Sequence, residues 1–585
     1  MSAADASLTA PQPWLEIIEG DSPLLLIAPH GGRAGAAARA TLHPKVNDLH
    51  TAEITRELAG LLNATALINS AMDRNLIDCN RIPQVAERAP WMLELIADRL
   101  ARIVDRFGRA TVLLIHGWNI IEPRIDFGLG VRRHGDELRP VGSAHVSASD
   151  EFIQGPLSAL AGKLRGAGIS PTFGMRYPAG GVHNLVQAFT ERHRESDISP
   201  LGRISSIASD GIVDTVQFEL SVSVRLPGPL RTRCIDAIVE AFSPEPQAPV
   251  PADSEIAVIR TARAMTRSAP MAPPTRVGVE FYDPAARVGA MASFDLGTPG
   301  FGARIMMIVG ERRVILCTCE GTTKRQSTRL SLGPLSLGVE GDKLVLAYAG
   351  PAVVVPDGST YLSIERALAT GILDPEARMR LEVPLSAAGF DPAVLFAEKL
   401  PDSTLRNAAP LFATASGEAK LEGRDYALKA STRTGVSFTG LGSQRFSERR
   451  MLWALFDGDP PQALELRDID SDDGLDLRTA RLLKHGEWIS LTLDDLMIET
   501  SAPESLPGRV DAVASAASGG SVRLSGHPIA FVPLSRPGPN GSRIYTSLGF
   551  GLFQAGTHSA CGMFEFSRRV AAISPRDRNG EDEND

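Results

Sequence analysis

The first 242 residues alternate short apolar runs with helically spaced apolar positions. SPLLLIAPH (22–30) predicts a buried strand ending in a loop. Ile54, Leu58, Leu61 and Leu62 predict a helix over 51–64. TALINS (65–70) predicts a second strand, and Met92, Leu95, Ile96, Leu100, Ile103 and Phe107 predict another amphipathic helix. TVLLIH (111–116) follows as a third buried strand. In VQFEL (216–220) Val216, Phe218 and Leu220 alternate with Gln217 and Glu219, the pattern of a strand with two unlike faces. CIDAIVEAF (234–242) predicts a helix. This order predicts an α/β three-layer sandwich with a mostly parallel sheet.

The pattern then breaks. SPEPQAPVPADSE (243–255) and APMAPP (269–274) are Pro-rich and bracket a short predicted helix at 256–267. Beyond them, ARIMMIVGERRVILCTCEG (303–321) and LSLGVEGDKLVLAYAGPAVVVPDG (335–358) each read as two strands around a tight turn. EWISLTLDDLMIETS and SVRLSGHPIAFVPL continue the texture, so the second half is expected to be mostly antiparallel β, a barrel or a sandwich. The expected domains are 1–245, a linker at 246–275, a β-rich domain at 276–575 and a frayed acidic tail at 576–585.

At 585 residues the chain is too long for one core. Apolar residues at 43% and charged residues at 22% exclude wholesale disorder. Lys+Arg 60 against Asp+Glu 69 gives net charge −9, which argues against binding a nucleic-acid backbone through bulk charge. No apolar run is long enough for a membrane span, and the N-terminus has no signal-peptide pattern. The cysteines are Cys79, Cys234, Cys317, Cys319 and Cys561. They have no disulfide or metal-site spacing and read as reduced thiols, so a cytoplasmic protein is expected.

Histidine changes the picture. His30, His43, His50, His116, His134, His145, His183 and His193 all fall in the first part, and only His485, His527 and His558 lie beyond. His30 and His116 both fall at predicted strand ends, where parallel α/β sheets bind ligands. Two imidazoles and a carboxylate form the ligand set of a catalytic zinc. Singly, each residue has a plainer use: Asp48 as a helix N-cap, Glu219 as a solvated charge, Arg74 and Arg81 as surface partners of Asp73 and Asp78.

In order, PHGG (29–32), Asp48, DRNLIDCNR (73–81), IHGW (115–118), DFGLG (126–130), AGG (179–181) and VQFEL (216–220) resemble the N-formylglutamate amidohydrolase family, with its zinc carboxypeptidase-like core, over residues 15–242. The resemblance implies zinc held by His30, His116 and a third ligand. Asp48 fits that place, with Glu53 and His50 on the same stretch as alternatives. It implies Glu219 as general base and Arg74, Asn80 and Arg81 as holders of a substrate carboxylate. His183 would line the pocket, and Asp126 would orient a ligand histidine. The implied activity is zinc-dependent hydrolysis of an amide bond in an N-formyl or N-acyl amino-acid-like carboxylate. Two departures point away from formylglutamate itself. Trp118 follows the second histidine and would narrow the mouth, and Arg192–Ser209 reads as a polar, loop-rich rim.

The second half resembles lipocalin-like domains of the hydroxyneurosporene synthase type in EFYDPAARVG (280–289) and GMFEF (562–566), with Glu565 as the matching acid. That implies a barrel able to hold a small apolar ligand. An alternative function is therefore an inactive hydrolase-like fold that binds a carboxylated ligand, its β-domain binding an apolar ligand or a partner. A third is an isomerase or hydratase centred on the β-domain.

Overall fold

The computed structural model describes residues 13–33, 45–135, 137–243, 257–258, 275–296, 302–385, 390–397, 410–438, 446–458, 462–471, 477–501, 506–537 and 542–570. His43, the acidic tail and nearly all of the Pro-rich linker lie outside them. The chain divides into two compact units, Met1–Arg267 and Ser268–Asp585.

Among its described residues the first unit has nine strands of four residues or more: β1 (Leu15–Ile18), β2 (Leu24–Ala28), β3 (Thr65–Asn69), β4 (Ala110–Trp118), β5 (Arg124–Gly128), β6 (Val131–His134), β7 (Glu137–Pro140), β8 (Ser170–Phe173) and β9 (Val213–Ser221). Seven form one sheet in the order β1-β3-β2-β4-β9-β5-β8. Strands β3, β2, β4 and β9 run parallel, while β1 and β5 are antiparallel to their inner neighbours β3 and β9. The sheet is therefore mixed, with a parallel centre. The β6–β7 hairpin forms a small second sheet with Ala257–Val258, which pairs with Glu137 and Leu138. That pairing corrects the helix expected from 256.

Period-2 alternation puts Leu25 and Ile27, Leu67, and Val112 and Leu114 on one face of the sheet. They share a core with Met92, Ile96, Leu100 and Ile103 of the helix Pro90–Phe107. That helix starts with proline in its first turn and ends at Gly108, in the left-handed conformation at φ 73°. Each such fully buried side chain contributes about 1.5–3 kcal/mol. Residues of opposite parity, such as Leu26, Leu113 and Ile115, are buried too, with the helices Thr51–Leu61 and Pro229–Phe242 covering that side.

One expectation on the rim is overturned. Ser199–Ile207, read from sequence as loop, is an α-helix with proline in its first turn. Leu201 and Ile204, three apart, enter the same core as the helix Pro90–Phe107. Scattered serines and arginines hid a short apolar stripe.

The second unit holds two antiparallel eight-stranded barrels, where the sequence suggested one domain. The first runs from Thr275–Asp283 to Arg424–Phe438 and closes by pairing those two strands. A second contact joins Val314–Leu316 to Val353–Val355. Alternate residues Val277, Val279, Phe281, Phe294, Ile305 and Met307 are buried within it. In the second barrel each strand from Phe446–Phe456 to His558–Val570 pairs with the next, and the first pairs with the last. Leu452, Leu466, Leu493, Leu496, Val510, Leu524 and Phe553 form its core. Arg433 Nη2 of the first barrel donates to Glu465 Oε1 of the second at 2.7 Å, and Trp453 Nε1 donates to Glu280 Oε2 at 2.7 Å. Strand spacing and turn signals are alike in both barrels, so nothing in the sequence texture marks the passage between them.

Candidate metal centre

The parallel strands β2, β3, β4 and β9 deliver polar side chains to one edge. His30 follows the end of β2. Asn69 ends β3 and donates from Nδ2 to Pro29 O (2.9 Å) and Met72 O (3.0 Å), latching the Pro-His-Gly-Gly loop to the segment that begins at Met72. Gly32 is required there, since a Cβ would lie 1.9 Å from Met72 O. His116 on β4 stands in register with Glu219 on β9, and Glu219 with Asp126 on β5. Neighbours in register point to one face, so these three side chains form a row across the strand ends.

His30, Asp48 and His116 are all buried and offer ligand atoms within 4.8 Å of one another. Asp48 Oδ2 lies 3.2 Å from His30 Nδ1 and 3.5 Å from His116 Nδ1, and accepts from Gly117 N at 2.9 Å. The N-cap position of the helix Thr51–Leu61 is His50, with no side-chain cap, so Asp48 does not serve as the cap. Of the alternatives on that stretch, Glu53 pairs with Arg33 at 3.0 Å and His50 starts the helix at φ 67°. Gly117 is needed for close approach: a Cβ there would lie 2.7 Å from Arg225 Cζ and 2.9 Å from Asp48 Cβ.

The electrostatics separate the roles. Burial opposes ionisation of Asp48, but His30, His116 and Arg74 together hold its carboxyl well below the usual range. Burial pushes His116 down to about 4, against its hydrogen bond to Asp48, so the imidazole is neutral. Burial also raises Glu219 well above an ordinary carboxyl, helped by the nearby charges of Asp48 and Asp126. Gln217 Nε2 donates to Glu219 Oε1 at 2.7 Å. Among the described residues the buried His116 Nε2 has no hydrogen-bond partner. Two neutral-capable imidazoles, one ionised carboxylate and an orphan ring nitrogen fit a divalent metal such as zinc.

The sequence missed the groups that hold this arrangement. Asp78 Oδ1 is 2.7 Å from His30 Nε2, and Asp78 Oδ2 accepts from Lys45 Nζ at 2.7 Å. The histidine-orienting place expected of Asp126 is thus taken by Asp78. Asp126 instead accepts from Thr172 Oγ1 and the amides of Met175, Arg176 and Tyr177, all at 2.8–2.9 Å, and so fixes that turn. Arg225 is buried. It donates to the carbonyls of Leu49, Trp118 and Leu220 and to Asn119 Oδ1, tying together three segments of the site. Asp78 lies inside the DRNLIDCNR piece, where it read only as a surface partner of the arginines. Arg225, within an apolar run, carried no sequence signal.

The residues expected to hold a substrate carboxylate are divided. Arg74 Nη1 donates to Val46 O (3.0 Å) and Asp48 Oδ1 (3.3 Å), with Nη2 3.8 Å from Asp78. Asn80 is buried and accepts from Leu185 N at 3.3 Å. Arg81 and His183 are exposed, on backbones joined by the Arg81–Asn184 bridge. Trp118 is buried and packs edge-on against Tyr177 at 5.8 Å.

No family model and no curated protein matches the chain. Among solved structures it is similar to N-formylglutamate amidohydrolase from Ralstonia eutropha, at 12% identity and TM-score 0.27, over 39% of this chain and 95% of that one. It is similar to kievitone hydratase from Nectria haematococca at 11% identity and TM-score 0.30, over 51% of this chain and 89% of that one. A putative AttH from Nitrosomonas europaea gives 12% identity and TM-score 0.29, over 51% and 92%. These likenesses are remote and carry no argument about chemistry, which rests on the residues described above. Among the described residues no helix is long and apolar enough to cross a membrane.

Proposed function

We propose that the first unit is a zinc-dependent hydrolase of an amide bond in an N-acyl or N-formyl amino-acid-like carboxylate. The observation that carries this reading is the convergence of His30, Asp48 and His116, buried at the strand ends beside Glu219. In this reading His30, Asp48 and His116 hold the metal. A bound zinc supplies Lewis acidity and an activated water. Glu219 takes and returns the proton at Oε2, since Gln217 engages Oε1. Its raised proton affinity suits a group that must hold a proton between two steps. Asp78 keeps the His30 ring in place through Nε2, leaving Nδ1 on the side of Asp48. Arg74, engaged by Asp48 and Asp78, positions those acids. Arg81 and His183, both exposed, are assigned to the substrate carboxylate, which a guanidinium can bind in two places.

The test is metal content by plasma emission, wild type against His116→Ala. About one zinc per chain in the wild type, lost in the variant, is expected for a three-ligand site. Release of amine from N-formyl and N-acyl amino acids by the zinc-loaded wild type, abolished in Glu219→Gln, follows. A wild type that takes up no zinc after dialysis against it overturns the proposal.

A further inference from the structure

A chain of buried amides joins Glu219 to the segment that carries Arg81 and His183. Asn184 follows His183 directly, and its backbone pairs with that of Arg81 in an antiparallel bridge. Ile82 N donates to His183 O at 2.9 Å, and Leu185 N donates to Asn80 O and to Asn80 Oδ1, both at 3.3 Å. These bonds strap the two stretches together. From the strap Asn184 Nδ2 donates to Gln217 Oε1 at 3.3 Å, and Gln217 Nε2 donates to Glu219 Oε1 at 2.7 Å. Asn184, Gln217 and Glu219 are buried, while Arg81 and His183 at the other end are exposed.

The direction of the chain is fixed at its Asn184 end. Asn184 is the N-cap of the short helix Leu185–Phe189, and its Oδ1 accepts from Val186 N at 2.8 Å. Its NH2 group is then the part left to face Gln217. Gln217 answers with its oxygen, which turns its own NH2 group to Glu219. A flip of either amide would set like groups against each other. Strand β9 fixes the backbone of Glu219, and the amide chain fixes the rotation of its carboxyl.

We infer, resting on the function proposed above, that Asn184 and Gln217 are positioning residues that tie the aim of Glu219 to a carboxylate seated on Arg81 and His183. The seated carboxylate steadies the strap, the strap holds the Asn184 amide, and Gln217 keeps Glu219 Oε2 turned to the reacting amide. A carboxylate on the substrate then speeds the chemical step as well as tightening binding, which is how contacts remote from the reacting bond enter kcat.

The test takes the N-formyl or N-acyl amino acid that the zinc-loaded wild type cleaves fastest and its carboxamide, in which a neutral amide replaces the carboxylate. The wild type is expected to show a kcat at least about tenfold lower on the carboxamide. Asn184→Ser keeps an oxygen for the cap but is too short to reach Gln217. It is expected to bring kcat on the carboxylate down to near that on the carboxamide, at unchanged zinc content, so that the ratio falls toward one. A merely structural role would lower both alike and keep the ratio. In Glu219→Gln, where the compounds persist, hydrogen exchange of the stretch 181–186 should slow with the carboxylate and not with the carboxamide. Should Asn184→Ser fail to fold, Gln217→Met is read in its place. Equal kcat on both compounds in the wild type, a ratio kept by the folded variant, or exchange that the carboxylate does not slow overturns the inference and leaves the hydrolase reading standing. A zinc-loaded wild type that cleaves no N-formyl or N-acyl amino acid overturns that reading, and the inference with it.

Discussion

Replacing Asp78 by Asn tests the logic of the metal centre with little change of shape. Asp78 Oδ1 faces His30 Nε2 at 2.7 Å, while Oδ2 faces Lys45 at 2.7 Å and Arg74 at 3.8 Å. Burial works against its ionisation, but His30, Arg74 and Lys45 hold it far below the usual carboxylate range. An asparagine keeps one acceptor oxygen, so one side receives an NH2 group. Facing Lys45 and Arg74, that group meets only donors. Facing His30, it forces Nε2 to accept, and the ring proton moves to Nδ1, the atom 3.2 Å from Asp48. Either outcome spoils His30 as a ligand. Losing an orienting partner of this kind costs about 10–100-fold in metal affinity, or about 1.4–2.7 kcal/mol. The assay is competition with a chelator of known zinc affinity, with circular dichroism to show that the variant is folded. A folded Asp78→Asn that binds zinc as tightly as the wild type would refute the reasoning.

Other predictions follow from single contacts. Gly117→Ala puts a methyl group 2.7 Å from Arg225 Cζ and 2.9 Å from Asp48 Cβ, and should destabilise the first unit by about 1–3 kcal/mol in urea unfolding; an unchanged midpoint would mean that these neighbours yield freely. Ile204→Ala should cost about 2–5 kcal/mol, because the helix Ser199–Ile207 is part of the core; a surface-like change below about 0.5 kcal/mol would detach it. In the second unit, burial opposes ionisation of Glu465, but Arg433, Arg467 and Arg481 more than offset it and hold its carboxyl far below the usual range. Its stabilisation is therefore complete above the unfolded value of about 4.3 and is lost as pH falls from there toward the depressed folded value. Glu465→Gln should flatten this acid limb in pH-dependent melts and cost about 3–5 kcal/mol at neutral pH, by leaving Arg433 without its buried partner; superimposable acid limbs would exclude Glu465 as the cause.

The parallel centre of the first unit was legible because β2, β3 and β4 are short apolar runs joined to helices of clean 3.6 periodicity. Its ends were less so. Strands β1, β5 and β8 are four or five residues long, and their pairing depends on partners distant in sequence. His30, Asp48, His116 and Glu219 each belong to a recognisable piece, and the fold brings them to one edge. Arg81 and His183 belong to equally recognisable pieces yet reach the surface, because a short motif fixes backbone neighbours and not the direction of a side chain. Asn69, Gln217 and Arg225 act through backbone carbonyls or a neighbouring carboxylate, and such partners leave no mark in a linear pattern. In the second half, alternation announced strands but not how many rings they would form. Ring closure is decided by pairs such as Val277 with Val436 and Glu448 with Arg568.

Those closing pairs set an order on the making of the protein. Each ring is sealed by its first strand meeting its last, so Thr275–Asp283 emerges from the ribosome long before Arg424–Phe438 exists to cover its free edge. The second ring repeats the delay between Phe446–Phe456 and His558–Val570. Non-local closure of this kind is slow, and an uncovered strand edge is a template for pairing with another chain. A chain cut short between the two closing strands of either ring keeps that edge open to such pairing.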